Sequence, residues 1–536
     1  MAGPAKAGAS VWSADRAALP LAVFGGALVI RLIGLSSRPF WLDEIFTLKR
    51  VRMAPAALVH DSLISHHLPS FFLMLWALVP LGNPQFWLRF PSAVFGAASV
   101  MLVFLIGQRI AGRTAGLVAA LVLGLSPAAL AYSQEARSYT MVMSLILFSL
   151  LALTQLAMDV PAASVKLRER AAARGAWAVF VIAAIAAVDV LMDAFLWVIT
   201  ANLIVAVMLA RSGNRRGLLW NLAVADLVIL AFTVPFYLIM TLTMTQTFSN
   251  SVGWIPALSG PVLWYSFSSV YLMRIADAVT FKLMAVATPS ILMWVIDAGL
   301  ILAVGLGAWR LRLKPPVLAL LGFSFLVLPL VLTVISVWQP VLLPRYILWS
   351  AAPFAVMAGV GASFLINRLP RAGKVVAFAG IAVLLLINLA PYYGAETKPR
   401  WDIAAKLLAS DVAPGDVVFL NDQYAAAELQ TYLPKQAAAA VLNNSVADIQ
   451  HAQLAKVAGK RVWAVYGIAG QSVVDDGWQA AAASMAPLGT PQQVQKAGSR
   501  IYITLFAQNA CPARQAPAAV VAPVALTQAS GCGQAG

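Results

Sequence analysis

From about residue 17 to residue 391 the chain is a succession of long apolar runs punctuated by short basic clusters. A run of roughly 20 apolar residues crosses a hydrocarbon core as a helix, because a helix satisfies its own backbone hydrogen bonds there. The runs fall at 17–35, 89–107, 115–131, 139–157, 176–192, 194–210, 218–240, 289–308, 316–336, 346–366 and 375–391. We therefore expect a polytopic α-helical membrane protein of about 11–13 spans. With 61% hydrophobic and only 11% charged residues, the chain is too apolar for a soluble globular protein. No small-x-small cleavage pattern follows the first run, which reads as a retained span and not a removed signal peptide.

The basic clusters set the sidedness. With the N-terminus inside, the cytoplasmic connections hold Arg109 and Arg113; Lys166, Arg168, Arg170 and Arg174; Arg211, Arg215 and Arg216; Arg310, Arg312 and Lys314; and Arg368, Arg371 and Lys374. That agrees with the positive-inside rule. The net charge of +16 is thus assigned to cytoplasmic anchors, and no nucleic-acid partner is expected. The apolar stretch from His67 to Pro80 is too short to cross, and counting it as a span would move every later basic cluster outside. Residues 46–87 are instead expected to form an external loop of juxtamembrane helices.

After Pro391 polar residues return and short elements alternate: a helix near Trp401–Ser410, a Pro414-Gly415-Asp416 turn, strands at Val417–Leu420, Ala438–Leu442 and Val462–Tyr466, and a helix at Val446–Ala458. This is the pattern of a small α/β domain. The expected division is a membrane domain at 1–391, an external domain at 392–508 and a flexible tail at 509–536. Cys511 and Cys532 both lie in that tail; one disulfide and two free thiols fit them equally.

Several costly side chains collect on the external side: Asp43 and Glu44, His66 and His67, Arg89, the stretch Tyr132-Ser133-Gln134-Glu135-Ala136-Arg137-Ser138-Tyr139, Asp189, Asp193, Trp254, Arg345 and Tyr346. Charge at a membrane boundary is retained mainly where structure or chemistry uses it. A carboxylate beside a hydroxyl can act as a general base, and arginines can hold a phosphate leaving group. Simpler roles also exist: Arg345-Tyr346 fits an interfacial anchor, and Asp189 and Asp193 fit helix ends. Four histidines without ligand spacing indicate no dedicated metal site.

The motifs Trp41-Leu42-Asp43-Glu44, His67-Leu68-Pro69, Arg89-Phe90-Pro91-Ser92 and Tyr132–Tyr139, followed by Trp254-Ile255-Pro256, Arg345-Tyr346 and Trp401-Asp402, resemble those of the membrane-embedded C-type glycosyltransferases. More narrowly, they are similar to bacterial relatives of the protein O-mannosyltransferases and of the lipid A aminoarabinose transferase. The resemblance runs from about residue 38 to residue 435. It implies inverting transfer of a sugar from a polyprenyl-phosphate donor to a hydroxyl on a glycolipid, polysaccharide or protein, on the external face of the membrane; the Ala-rich composition and short loops favour a bacterial cytoplasmic membrane. Carried onto this chain, it makes Asp43 the general base with Glu44 beside it, and adds Glu135 as a catalytic residue. Arg89, Arg137, Arg345 and Tyr346 would meet the donor phosphate. His66, His67, Tyr139, Asp193 and Trp254 would be further substrate contacts, and no cofactor is implied. The chain departs from the family pattern at Leu68, where a proline is usual, and at Asp193, where a histidine is frequent.

A transporter or flippase of a lipid-linked sugar is the alternative. It would place polar residues near the midplane on broken or repeated helices, whereas here they lie at one interface and no repeat is evident.

Overall fold

The computed structural model describes residues 14–159, 167–243, 252–277, 282–284, 288–420, 423–438, 440–442, 460–467 and 491–507. Its first helix, α1, spans Ala14–Leu32. Four short helices fill the first connection: α2 (Leu42–Val51), α3 (Pro55–Ile64), α4 (Ser70–Trp76) and α5 (Pro84–Trp87). Longer ones follow: α6 (Phe90–Ala111), α7 (Arg113–Gly124), α8 (Pro127–Ser133), α9 (Tyr139–Asp159), α10 (Leu167–Val188), α11 (Phe195–Arg211) and α12 (Arg215–Thr243). Beyond a shorter helix at Gly260–Tyr271 lie Ser290–Leu311, Pro315–Ile335, Ala351–Ile366 and Arg371–Gly394.

Each span expected from the sequence overlaps one of these helices, except 115–131, which overlaps two. Among the described residues, eight helices are long and apolar enough to cross a membrane, and Ala17–Leu32 and Ala173–Val188 are shorter apolar stretches. One expected span, 115–131, is broken: α7 and α8 meet at 64°. The sequence explains the break. Pro127 cannot continue the hydrogen-bond ladder, and the Ser126 hydroxyl caps α8 by accepting from the Ala129 amide (3.4 Å). The chain is a multi-pass membrane protein with juxtamembrane helices in its first long connection.

The helix Ala351–Ile366 runs through the middle of the bundle, with thirteen of its residues buried, from Ala351 to Ile366. Small residues allow this close approach. A Cβ at Gly361 would overlap the Ala303 carbonyl oxygen, and one at Gly359 would overlap that of Ala115. Gly361→Ala should therefore destabilise the protein by about 1–3 kcal/mol. Gly380→Ala, where a Cβ meets nothing within 4 Å, should not; thermal unfolding in detergent compares the two.

The two ends of this helix mark the two ends of the bundle. At its C-terminal end Arg310 and Arg368 lie over the Phe364 ring (5.0 and 3.9 Å), and the Thr114 hydroxyl donates to Asn367 (2.8 Å). Three of the connections expected to be basic, at 109–114, 310–314 and 367–374, therefore meet there. The opposite end, near Arg345, holds the connections with the acidic residues.

After the last long helix, the chain builds a five-stranded sheet. A small antiparallel pair, β1 (Ala276–Asp277) and β2 (Lys282–Leu283), precedes it. The sheet strands are β3 (Val417–Leu420), β4 (Val441–Leu442), β5 (Arg461–Tyr466), β6 (Pro491–Ala497) and β7 (Ile501–Ala507), in the order β4-β3-β5-β7-β6. β3 pairs in parallel with β4 and β5, and β7 pairs antiparallel with β5 and β6. The helices Trp401–Asp411 and Gln423–Tyr432 accompany the sheet, and Trp401, Leu408, Val418, Leu429, Trp463 and Ile503 form its buried core. The expected helix at Val446–Ala458, both cysteines and the tail lie outside the described residues. This region docks on the site end of the bundle: the Tyr432 hydroxyl accepts from the Phe40 amide (2.5 Å), and Arg500 pairs with Asp277.

Candidate active site

Consecutive residues on a helix project about 100° apart, so Asp43 and Glu44 face different surroundings at the start of α2. Glu44 points inward and is fully buried. Its carboxylate accepts from Arg89 Nε and Nη2 (2.7 and 2.8 Å), from Lys398 Nζ (2.7 Å) and from the Ala136 amide (3.0 Å). Burial alone would raise this carboxyl, but Arg89 and Lys398 outweigh it and hold it down at about 2.

Arg89 is equally enclosed. Besides Glu44, it donates to the carbonyls of Leu35, Arg38 and Pro39, each at 2.9 Å. A guanidinium has five N–H donors, and all five are engaged inside the protein. Arg89, expected at the donor phosphate, therefore has no donor left for one. Glu44, expected beside the base in catalysis, is likewise saturated and out of reach of solvent. Together they tie the chain after α1 to the start of α6.

Asp43 is different. Its side chain is 21% exposed, and its carboxylate accepts from Arg345 Nη1 at 2.9 Å with Arg137 Nε at 4.0 Å. Arg345 is held among aromatic rings, 4.8 Å from the centroid of Trp254, 5.5 Å from Tyr346 and 5.6 Å from Trp41. Arg137 lies 5.9 Å from the Tyr139 ring, which stands edge-on to Tyr346 at 6.4 Å. The structure thus brings Asp43, Arg137, Tyr139, Trp254, Arg345 and Tyr346 together from four separate segments.

The stretch Ser133-Gln134-Glu135 divides by role. Ser133 accepts from Arg31 (3.0 Å); Gln134 donates to the carbonyls of Arg31 and Ile33 (2.9 and 2.8 Å) and accepts from the Tyr392 hydroxyl (3.0 Å). These bonds lock the loop onto α1. Glu135 instead lines a cavity with Tyr132, Ile275, Pro344, Thr397 and Lys398. The cavity holds about 500 Å³ of empty space, its open mouth included. Glu135 Oε1 is 3.7 Å from Lys398 Nζ. Burial pushes the Glu135 carboxyl up to about 7 against the pull of Lys398.

A second cavity, about 420 Å³ with its mouth, opens beyond Arg137 and is lined by His66, His67, Phe71, Ser138 and Leu191. His67 Nδ1 lies 2.6 Å from the Ser65 carbonyl and so carries the proton. Burial, reinforced by Arg137 and Arg50, pushes this imidazole down to about 3, leaving a neutral ring. His66 adopts φ 58°, the left-handed turn that swings the chain into α4. Asp193 sits apart, in the Met192–Ala194 turn, and no described contact joins it to Asp43.

Lys398 is absent from the residues expected from sequence, yet it bridges Glu44 and Glu135. Its signal was a lysine in Glu396-Thr397-Lys398-Pro399-Arg400, just past the last span on the side where the charge rule places few cations. Among the described residues no three His, Cys, Asp or Glu side chains are arranged to hold a metal ion.

No protein-family model and no curated protein sequence matches the chain. Solved structures do. ArnT from Cupriavidus metallidurans in the apo state superposes with a TM-score of 0.54 at 16% identity, over 92% of this chain and 98% of that one. The same protein bound to undecaprenyl phosphate gives 0.53 at 15% identity, with the same coverage. This is the fold of the C-type membrane glycosyltransferases. The archaeal oligosaccharyltransferase AglB from Archaeoglobus fulgidus, in complex with an inhibitory peptide and a dolichol-phosphate, matches at 0.51 and 13% identity, over 88% of this chain and 71% of that one.

Proposed function

We propose that the chain transfers a sugar, with inversion, from a polyprenyl-phosphate donor to a hydroxyl acceptor. One observation carries the reading: Asp43 is a partly exposed carboxylate held between Arg345 and Arg137 at one end of a C-type bundle. The match to a structure bound to undecaprenyl phosphate supports a lipid-phosphate donor. In the reaction the acceptor oxygen attacks the anomeric carbon, and the bond from that carbon to the phosphate oxygen breaks. Asp43 takes the acceptor proton, and polyprenyl phosphate leaves with both electrons of the broken bond. Arg345 and Arg137, already beside the carboxylate, are placed to stabilise the charge on the leaving phosphate. In this reading Glu44 and Arg89 position the loop that carries Asp43, and do not touch substrate.

The gathering of basic connections at the other end of the bundle supports a cytoplasmic location for that end. The site and the terminal sheet region would then face the periplasm of a bacterial cell. The acceptor is a hydroxyl of a glycolipid, an envelope polysaccharide or a secreted protein. Release of polyprenyl phosphate from a synthetic polyprenyl-phosphate sugar, by purified protein in detergent with envelope extract as acceptor, tests the reading. A transporter has no second compartment there and would release nothing. Arg345→Ala should raise the donor KM about 10–100-fold, the range expected for a lost charge-assisted hydrogen bond. An unchanged donor KM would remove Arg345 from the phosphate.

A further inference from the structure

In three connections at the end of the bundle opposite Asp43, the charges are all of one sign. The segments 110–118, 305–318 and 363–378 carry seven lysines and arginines and no acidic residue. Three of the arginines come together from separate connections. Arg310, in the last turn of Ser290–Leu311, and Arg368, just past Ala351–Ile366, share the Phe364 ring at 5.0 and 3.9 Å. The Thr114–Asn367 hydrogen bond joins the residue after Arg113 to the residue before Arg368. An aromatic face attracts each guanidinium, but it leaves the repulsion between two of them uncompensated. Arg113, Arg310 and Arg368 are exposed. Among the described residues none of the three forms an ion pair. Arg113 also opens α7, where the helix dipole is positive and a cation is disfavoured. The cluster lacks an anion, and the described part of the chain does not supply one.

Position narrows the choice of anion. The cluster lies where membrane-spanning helices end, and Trp309, Leu313 and Leu365, next to its arginines in sequence, are exposed. Apolar side chains exposed at that level suit the acyl chains of a lipid, so an anion carrying its own apolar chains satisfies both features. Guanidiniums match phosphate oxygens in charge and in the geometry of their donors. Basic pockets between spanning helices are a usual place for acidic headgroups. We propose that Arg113, Arg310 and Arg368 form a site for the phosphodiester headgroup of an anionic phospholipid. The site lies at the opposite end of the bundle from Asp43, and the assignment does not depend on the transferase reading.

Native mass spectrometry of the full-length protein, stripped of lipid in detergent, tests the assignment by titration with dioleoyl phosphatidylglycerol or dioleoyl phosphatidylcholine. The first phosphatidylglycerol should bind about 10–30-fold more tightly than phosphatidylcholine, the gain expected from two cations beside an acidic headgroup. The double variant Arg310→Gln/Arg368→Gln should lose most of that preference. Arg113→Gln should lose part of it, and serves as the test should the double variant not fold. Lys406→Gln/Lys435→Gln removes two exposed lysines of the terminal region instead, and should leave the preference within about twofold. Equal binding of the two lipids, or an equal loss in the lysine variant, overturns the assignment. Displacement of phosphatidylglycerol by millimolar inorganic phosphate would put a soluble anion in the site and overturn the lipid as its occupant.

Discussion

Asp43→Asn should lower the rate of sugar transfer by about 10²–10⁴-fold, the usual contribution of a general base, and leave the melting temperature nearly unchanged. Asparagine has the shape of aspartate and still offers an oxygen to Arg345, so the arginine stays seated among Trp41, Trp254 and Tyr346. What is lost is a proton acceptor at the reacting oxygen. The structural cost is small because the Asp43 carboxylate is partly solvated, and partly exposed ion pairs contribute little to stability. Turnover with a polyprenyl-phosphate sugar and thermal unfolding of the same preparation form the test. Full activity in the variant would remove Asp43 as the base. A collapsed melting temperature would show instead that the pair with Arg345 is a structural tie.

Much of the architecture was legible because membrane crossing imposes simple rules. Length and apolarity located each span, and charge parity placed the Asp43, Glu135 and Arg345 segments at one end, where the structure joins them. The break at Ser126-Pro127 was hidden, because both halves are apolar and their sum has the length of a span. Asp43 and Glu44 could not be separated by pattern. Trp41, Leu42, Ile45 and Phe46 surround them, so no single apolar face says which carboxylate turns inward. Arg89 and Arg345 likewise carry the same charge at the same membrane level. One is enclosed by three backbone carbonyls and Glu44, and the other stands among aromatic rings beside a partly exposed carboxylate. Only tertiary structure distinguishes a structural arginine from one free to meet a ligand. Lys398 acts 354 residues from Glu44 in sequence, and a lone lysine after a span looks like any interfacial anchor.

Glu44→Ala should instead act on folding, with a loss of about 3–5 kcal/mol or outright failure to accumulate, the effect of removing one partner from a buried ion pair. The substitution leaves the Arg89 guanidinium without its carboxylate in a dry interior, and leaves the Lys398 ammonium with only the more distant Glu135. It also strips the acceptor from the Ala136 amide, loosening the loop that carries Glu135 and Arg137. Glu44→Gln retains the shape and some hydrogen bonds but not the charge, and should be intermediate. The pH dependence has a definite sign. Because Glu44 is held near 2 in the folded protein, below its unfolded value, its contribution is present above about pH 4.5. It is lost as the pH falls toward 2. Glu135 runs the other way: with its carboxyl pushed up to about 7, its favourable contribution exists below the unfolded value and disappears as the pH rises through 7. Acid unfolding of Glu44→Gln should therefore begin from a lower stability and show a shallower slope than that of the unaltered protein. If Glu44→Ala were to melt normally while losing only activity, Glu44 would belong to the chemistry and not to the scaffold beneath Asp43.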